Sequence, residues 1–420
     1  MNYKTYKCNS FCVHTIKTDK FKTAHMEVIF RKEIVKEELT TYSMLADVLS
    51  EGNKDYPRRK DLIVKLEELY KAIVYATALK TGNVLNFSIV NDFINPIYIN
   101  DKNYLENNIK MAFDILQRPN VTNEEFDLKT FNIIKGKLKR EILAIKDNPV
   151  NDSIRTALKT MDSSSPSSYF MLDDIEALEN ITPSSLYKAY KRLMKDFTCD
   201  IFIIGDLDMD EVVSLIKKYF KRRYIVDLEL DLKVKNTEKK KALVKNVPSN
   251  NIQSNLVMIF NVSNLTEIEQ DIVMHVFNYI YGNGGLTSKL YQSIREKNSL
   301  CYAINSMYLK YDGLLVVQLS LENNCVSKAI KLIKKELKNM QLGDFTEEEV
   351  KDACNNMMVS IDISGDNNIS VLNNYVFHKF ANLMLLEDRK KQFKNIKKED
   401  VVAVSKKIKL NTIFNLEGEN

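Results

Sequence analysis

The stretch GNGGLTSKLYQSIREKNSLCYA, Gly282 to Ala303, gathers the residues of this 420-residue chain best suited to act on a ligand. Gly282, Gly284 and Gly285 open it, a helical run follows, and Arg295 and Tyr302 stand seven residues apart. Glycines at such spacing make a mobile or closely approached backbone loop. No strand–GxxxxGK[ST]–helix pattern follows, so a phosphate cradle is disfavoured. A guanidinium and a phenol are hydrogen-bond donors, suited to a carbonyl oxygen as it gains negative charge. Neither can start a reaction unaided, so a metal or nucleophile has to come from elsewhere. The plain structural alternative is an arginine in a surface ion pair and a tyrosine in an ordinary strand, because REK is a common helical-face triplet.

The rest of the chain does not supply the missing half in any obvious way. Its four histidines, His14, His25, His275 and His378, include no two at helical ligand spacing. His25, in AHMEVIF, lies in a strand-like alternation and reads as a core or surface residue. The cysteines at 8, 12, 199, 301, 325 and 354 lack zinc-finger spacing and read as free thiols. With 61 basic and 56 acidic residues the net charge is +5, too balanced for a nucleic-acid binder. No apolar run approaches the roughly 20 residues of a membrane span, and MNYKTYKCNSFCVHTIK lacks the apolar core of a secretory signal. The expectation is a cytoplasmic protein with neither nucleic acid nor membrane as partner.

The elements that would position Arg295 and Tyr302 occur twice. Gly52-Asn53 leads through a helical LIVKLEELYKAI into the strand-like NVLNFSIV (83–90); Gly282-Asn283 leads through SKLYQSIREKN into LLVVQLSLE (314–322). Amphipathic helices follow at 104–117 and 326–340. TNEEFDLK from Thr122 then matches TEEEVKDA from Thr346, each reading as a Thr N-cap with acids in the first turn. ITPSSLYKAYKRL (181–193) answers IKKEDVVAVSKKI (396–408), and both halves finish on a strand, CDIFIIGD (199–206) and NTIFNLEG (411–418). The offset falls smoothly from about 230 to about 212 residues, as a diverged duplication requires. Each half mixes strands and helices, which predicts an α+β fold of two homologous domains, each a sheet covered by helices. The boundaries expected are 1–228, a basic linker 229–251, and 252–420. The lysine-rich KNTEKKK within that linker reads as solvated chain rather than a nucleic-acid contact.

The opening stretch resembles the second-domain signature of the pitrilysin/insulinase metallopeptidases, in the branch that includes mitochondrial processing peptidase. Ser288-Lys289-Leu290-Tyr291, Ile294-Arg295-Glu296-Lys297 and Leu300-Cys301-Tyr302 follow that signature in order. The resemblance implies two homologous domains, mostly antiparallel in their sheets, facing one another across a chamber. It implies that Arg295 and Tyr302 bind substrate backbone. In that family the first domain carries His-x-x-Glu-His on a helix with a downstream Glu, which together hold a zinc ion and activate its water.

At the corresponding place this chain has TTYSMLADVLSEGNKDYP (40–57), where Ser43, Ala46 and Asp47 stand for the His, Glu and His. Glu124, Glu125 and Glu141 lie where a downstream ligand could fall, but without imidazoles they read as ordinary surface acids. No metal or other cofactor is expected in this chain, and no catalytic residue. The resemblance therefore implies a non-catalytic subunit of the kind found in bacterial two-subunit proteases. A His-x-x-Glu-His paralogue would hold zinc in a heterodimer, and short or unfolded peptides would be the substrate. The alternative is a non-enzymatic scaffold or peptide-binding homologue, which could pair as a homodimer.

Overall fold

The run TAHMEVIFRKE throws its side chains alternately to two faces. In the computed structural model, which describes residues 1–419, it is an interior strand of the first of two units. That unit holds Met1–Leu143, Phe170–Leu232 and Ser364–Ala381; the second holds Ala144–Tyr169, Lys233–Ile363 and the chain from Asn382 onward. Each unit thus includes a segment from the other half of the sequence.

The strands of the first unit are β1 (Asn2–Lys7), β2 (Cys12–Lys17), β3 (Thr23–Glu33), β4 (Ile73–Thr81), β5 (Val84–Ile94), a two-residue pair β6 (Val121–Thr122) and β7 (Glu125–Phe126), and β8 (Thr198–Gly205). Its six-stranded sheet runs β1-β2-β8-β3-β5-β4, antiparallel except for β2 beside β8. The second unit has β9 (Leu243–Pro248), β10 (Ser254–Val262), β11 (Cys301–Leu309), β12 (Leu314–Leu321) and β13 (Ile408–Glu417). They run β9-β13-β10-β12-β11, again antiparallel except for one pair, β9 beside β13. Strand for strand, this is the first sheet without β1. The fold is α+β, written twice.

Helices of the first half are α1 (Leu39–Ser50), α2 (Arg59–Glu68), α3 (Tyr104–Gln117), α4 (Leu128–Ala144), α5 (Pro149–Met161), α6 (Ile175–Glu179), α7 (Pro183–Asp196) and α8 (Met209–Tyr219). Those of the second are α9 (Met274–Asn278), α10 (Val326–Leu342), α11 (Glu347–Gly365), α12 (Asn368–Ala381), α13 (Leu386–Phe393) and α14 (Lys398–Ser405). In the first unit the face bearing Met26, Val28, Phe30 and Phe87 is the fully buried core, met by Tyr42 of α1 and by Phe220. The opposite face is covered by α12: Phe380 lies 3.7 Å from the Arg31 guanidinium and 5.7 Å from Phe202, and Tyr375 stacks on Tyr3. The second unit repeats the scheme, with Leu256, Met258 and Phe260 facing Ala329, Ile333 and Leu337 of α10, and α5 packing on the other side of β10 and β13. Among the described residues no helix is long and apolar enough to cross a membrane. All six cysteines are free.

Two local readings are corrected. Thr122 caps no helix: Asn123 and Glu124 take left-handed φ angles of 51° and 61° and turn β6 into β7, and α4 begins only at Leu128. Asp127 accepts from the Thr130 amide instead, at 2.8 Å. The hairpin wins because it buries Phe126 among Tyr187 and Tyr190. Thr346, its counterpart, is a true cap, accepting from the Glu349 amide at 3.1 Å while Glu349 accepts from the Thr346 amide at 2.8 Å. The polar connector also contains β9. Its side chains are nearly all exposed, so backbone pairing with β13 makes the strand and no apolar pattern announces it.

Candidate functional site

Arg295 and Tyr302 come together, and local geometry explains how. Tyr291–Glu296 forms a π-helical turn, a wider form common at functional sites. The chain then reverses at Ser299, whose φ is +53° and whose amide donates to the Arg295 carbonyl at 2.8 Å. That reversal feeds β11, an edge strand whose register against β12 slips between Cys301 and Ile304. A bulge of this kind re-aims side chains, and Tyr302 ends 81% exposed. The Arg295 guanidinium carbon lies 4.7 Å from the centre of the Tyr302 ring and 4.8 Å from that of Tyr291, so it is in contact with both phenol rings.

The glycines do less alike work than their clustering suggests. Gly282 is buried within the π-helical turn Tyr279–Asn283, and a Cβ there would come within 2.6 Å of Ser306 Oγ and 2.8 Å of Leu290 Cδ1. Gly284 backs onto the Tyr279 carbonyl. Gly285 alone needs a left-handed backbone, at φ +62°, with open space around it. Below this turn the Asn278 side chain accepts from Ser306 Oγ at 2.6 Å and donates to the Ser306 carbonyl at 3.2 Å, tying α9 to β11.

Ser43, Ala46 and Asp47 lie on α1. Ala46 is buried and has no donor atom, and Ser43 is half-buried. Asp47 accepts from Lys137 at 2.9 Å, and the same ammonium reaches Glu141 at 3.7 Å. A fixed cation therefore already sits against the one anionic group of the three, which opposes a second cation there. Glu124 pairs with Lys191 on the hairpin turn. Among the described residues no group of three or more His, Cys, Asp or Glu side chains could hold a metal ion. The residues present do not fit zinc.

Comparison with known proteins bears on the family likeness. The family model described as peptidase M16 inactive domain matches residues 180–357. The chain is 27% identical over 423 residues to a Bacillus subtilis (strain 168) protein named probable inactive metalloprotease YmfF, spanning 98% of this chain and 97% of that one. Among solved structures it aligns at TM-score 0.95 and 23% identity with a conserved protein from Enterococcus faecalis V583, covering 100% of this chain and 99% of that one. A peptidase M16 inactive domain from Pseudomonas fluorescens aligns at TM-score 0.81 and 17% identity, with the same coverage. The chain is thus similar to inactive members of the M16, or pitrilysin/insulinase, metallopeptidases, and it lacks their zinc motif.

In this chain His14 and His25 are tied into the first sheet by hydrogen bonds. His14 is fully buried, its Nε2 3.0 Å from Asp200 and its Nδ1 2.8 Å from the Tyr3 hydroxyl. His25 lies between Asp92, 2.6 Å from Nδ1, and Glu27, 3.1 Å from Nε2. Burial alone would lower its pKa, but the two carboxylates outweigh it and raise the value to about 9. Such an imidazolium has no lone pair for a metal. The residue that sequence reasoning passed over is Tyr291. Its signal was present, since it stands four residues before Arg295 on the same turn, but stacking is visible only in three dimensions.

Proposed function

We propose that this chain is the non-catalytic subunit of a bacterial, cytoplasmic, two-subunit zinc peptidase. A His-x-x-Glu-His paralogue holds the zinc and activates water, and this chain docks the peptide backbone through Arg295 and Tyr302. The observation that carries the reading is a contrast within one molecule. The positions for zinc ligands hold Ser43, Ala46 and a lysine-bound Asp47, whereas a half-buried Arg295 lies against Tyr302, which is open to solvent. Donors beside an edge strand suit an extended peptide, which can add to the sheet through its backbone. The substrates are therefore short or unfolded peptides. Gly282, Gly284 and Gly285 shape the turn that supports the pair.

Co-expression with a His-x-x-Glu-His paralogue and peptide turnover by the purified pair test this. The pair is expected to be active and each chain alone inactive. Arg295→Ala should lower kcat/KM of the pair by about a hundredfold, the scale of losing a donor aimed at developing charge. Turnover unchanged by Arg295→Ala would remove the docking role and leave a scaffold.

A further inference from the structure

Arg295 differs from the other well-placed arginines of this chain in how its donors are used. Arg58 meets Asp61 with two parallel bonds of 2.6 Å, and Arg118 meets Asp55 at 2.5 and 2.7 Å. These are fork-to-carboxylate pairs, the arrangement a guanidinium is shaped for. Arg295 instead has the rings of Tyr291 and Tyr302 at 4.8 and 4.7 Å from its guanidinium carbon, contacts that use none of its in-plane N–H donors. Among the described residues those donors make no hydrogen bond, and the Glu296 carboxylate stands 3.9 Å from Nε, too far for one. Lys289, on the same segment, is already neutralised by Glu349 at 2.7 Å. Glu296 is thus a nearby counter-charge that leaves the guanidinium N–H groups unbonded, and the Cys301 thiol adds none, because burial holds its pKa up at about 11 despite the arginine.

We propose that Arg295, held against Tyr291 and Tyr302, is a carboxylate receptor that takes the free C-terminal carboxylate of a peptide. The proposal rests on the docking role given above and specifies its ligand. An internal carbonyl offers one acceptor direction and no charge, whereas a carboxylate accepts two parallel N–H groups and neutralises the cation. Of the carboxylates a peptide can offer, the terminal one lies on the backbone itself, in line with a chain extended along β11. Tyr302, largely exposed, leaves the approach open. Tyr291 is a positioning residue: its ring fixes the guanidinium plane before the ligand arrives, which lowers the ordering cost of binding.

The chain contains no tryptophan, so a Trp-bearing probe reports its own binding by fluorescence. The probes are N-acetylated short peptides of Ala, Gly, Thr and one Trp, carrying a free C-terminal carboxylate, a C-terminal amide, or the amide with one Asp added. The full chain is expected to bind the free acid about tenfold or more tightly than the amide, the scale of a charge-assisted pair. Arg295→Lys keeps the charge but loses the fork, and should bring that ratio close to one. Tyr291→Leu should shrink the ratio with little change in amide binding, and Tyr291→Phe, which keeps the ring, should restore it. Unchanged urea midpoints would establish that each variant is folded. Equal binding of acid and amide, both weakened by Arg295→Ala, overturns the receptor and leaves backbone docking intact. Binding of both probes that ignores Arg295→Ala sinks both readings. Recovery of full affinity by the Asp-bearing amide means side-chain carboxylates are taken, and the assignment to peptide ends is wrong. Failure of the free chain to bind any probe also overturns the receptor, and the turnover experiment on the paired enzyme then judges docking by itself.

Discussion

His25 and His275 sit in the same chain with opposite protonation preferences. Asp92 and Glu27 hold the His25 proton to about pH 9, above the unfolded value of about 6.5. The native state therefore binds the extra proton, and the stability it contributes is complete below about pH 6.5 and lost as pH rises through about 9. His275 is pushed down to about 4, first by burial and then by the Arg389 and Lys310 charges. There the unfolded chain binds the proton more readily, so this stability is present above about pH 6.5 and lost as pH falls toward 4. Each contribution is on the order of 3 kcal/mol. Urea midpoints measured across this range should fall at both ends. His25→Gln should flatten the alkaline limb relative to wild type and His275→Gln the acid limb. An alkaline limb unaltered in His25→Gln would mean that the two carboxylates do not hold the proton.

At the scale of elements, matched sequence windows turned out to form unlike structures. Thr346→Ala removes a reciprocal cap and should cost about 1 kcal/mol. Thr122→Ala, in the β6–β7 hairpin, should cost only a few tenths. Equal losses in denaturant titrations would contradict the difference drawn between them. Gly282→Ala drives a methyl into Ser306 and Leu290 and should cost about 1–3 kcal/mol. Most elements were legible in the sequence: α3 spans 104–117 as its amphipathic period implies, and β10 contains the whole apolar run SNLVMIFNV. What escaped was held by long-range partners. Strand β9 exists because β13 lies beside it, and the hairpin at 121–126 exists because α7 offers tyrosines to Phe126.

The chain as a whole repeats one sheet topology, yet the first copy lacks the zinc motif. The helix that should carry zinc ligands is occupied by an alanine and an aspartate–lysine pair. Purified alone and exposed to zinc, the protein should carry well under one equivalent per chain by elemental analysis. One tightly bound zinc per chain would show that ligands lie outside Ser43, Ala46 and Asp47. His14 is the place to look next, since His25 is held as a cation.

By itself the sequence determined the duplication, the α+β class, the loss of the zinc motif and the identity of Arg295 and Tyr302. These are matters of residue type, order and period, which the chain carries locally. Only the tertiary structure decided that Tyr291 joins Tyr302 against the Arg295 guanidinium, that Lys137 stands against Asp47, and that α5 and α12 each pack on the sheet made mostly by the other half. Lys137 is ninety positions from Asp47 and α12 is more than 160 from β8. Contacts at such separations are set by which buried faces find each other, and no local pattern in the chain records that choice.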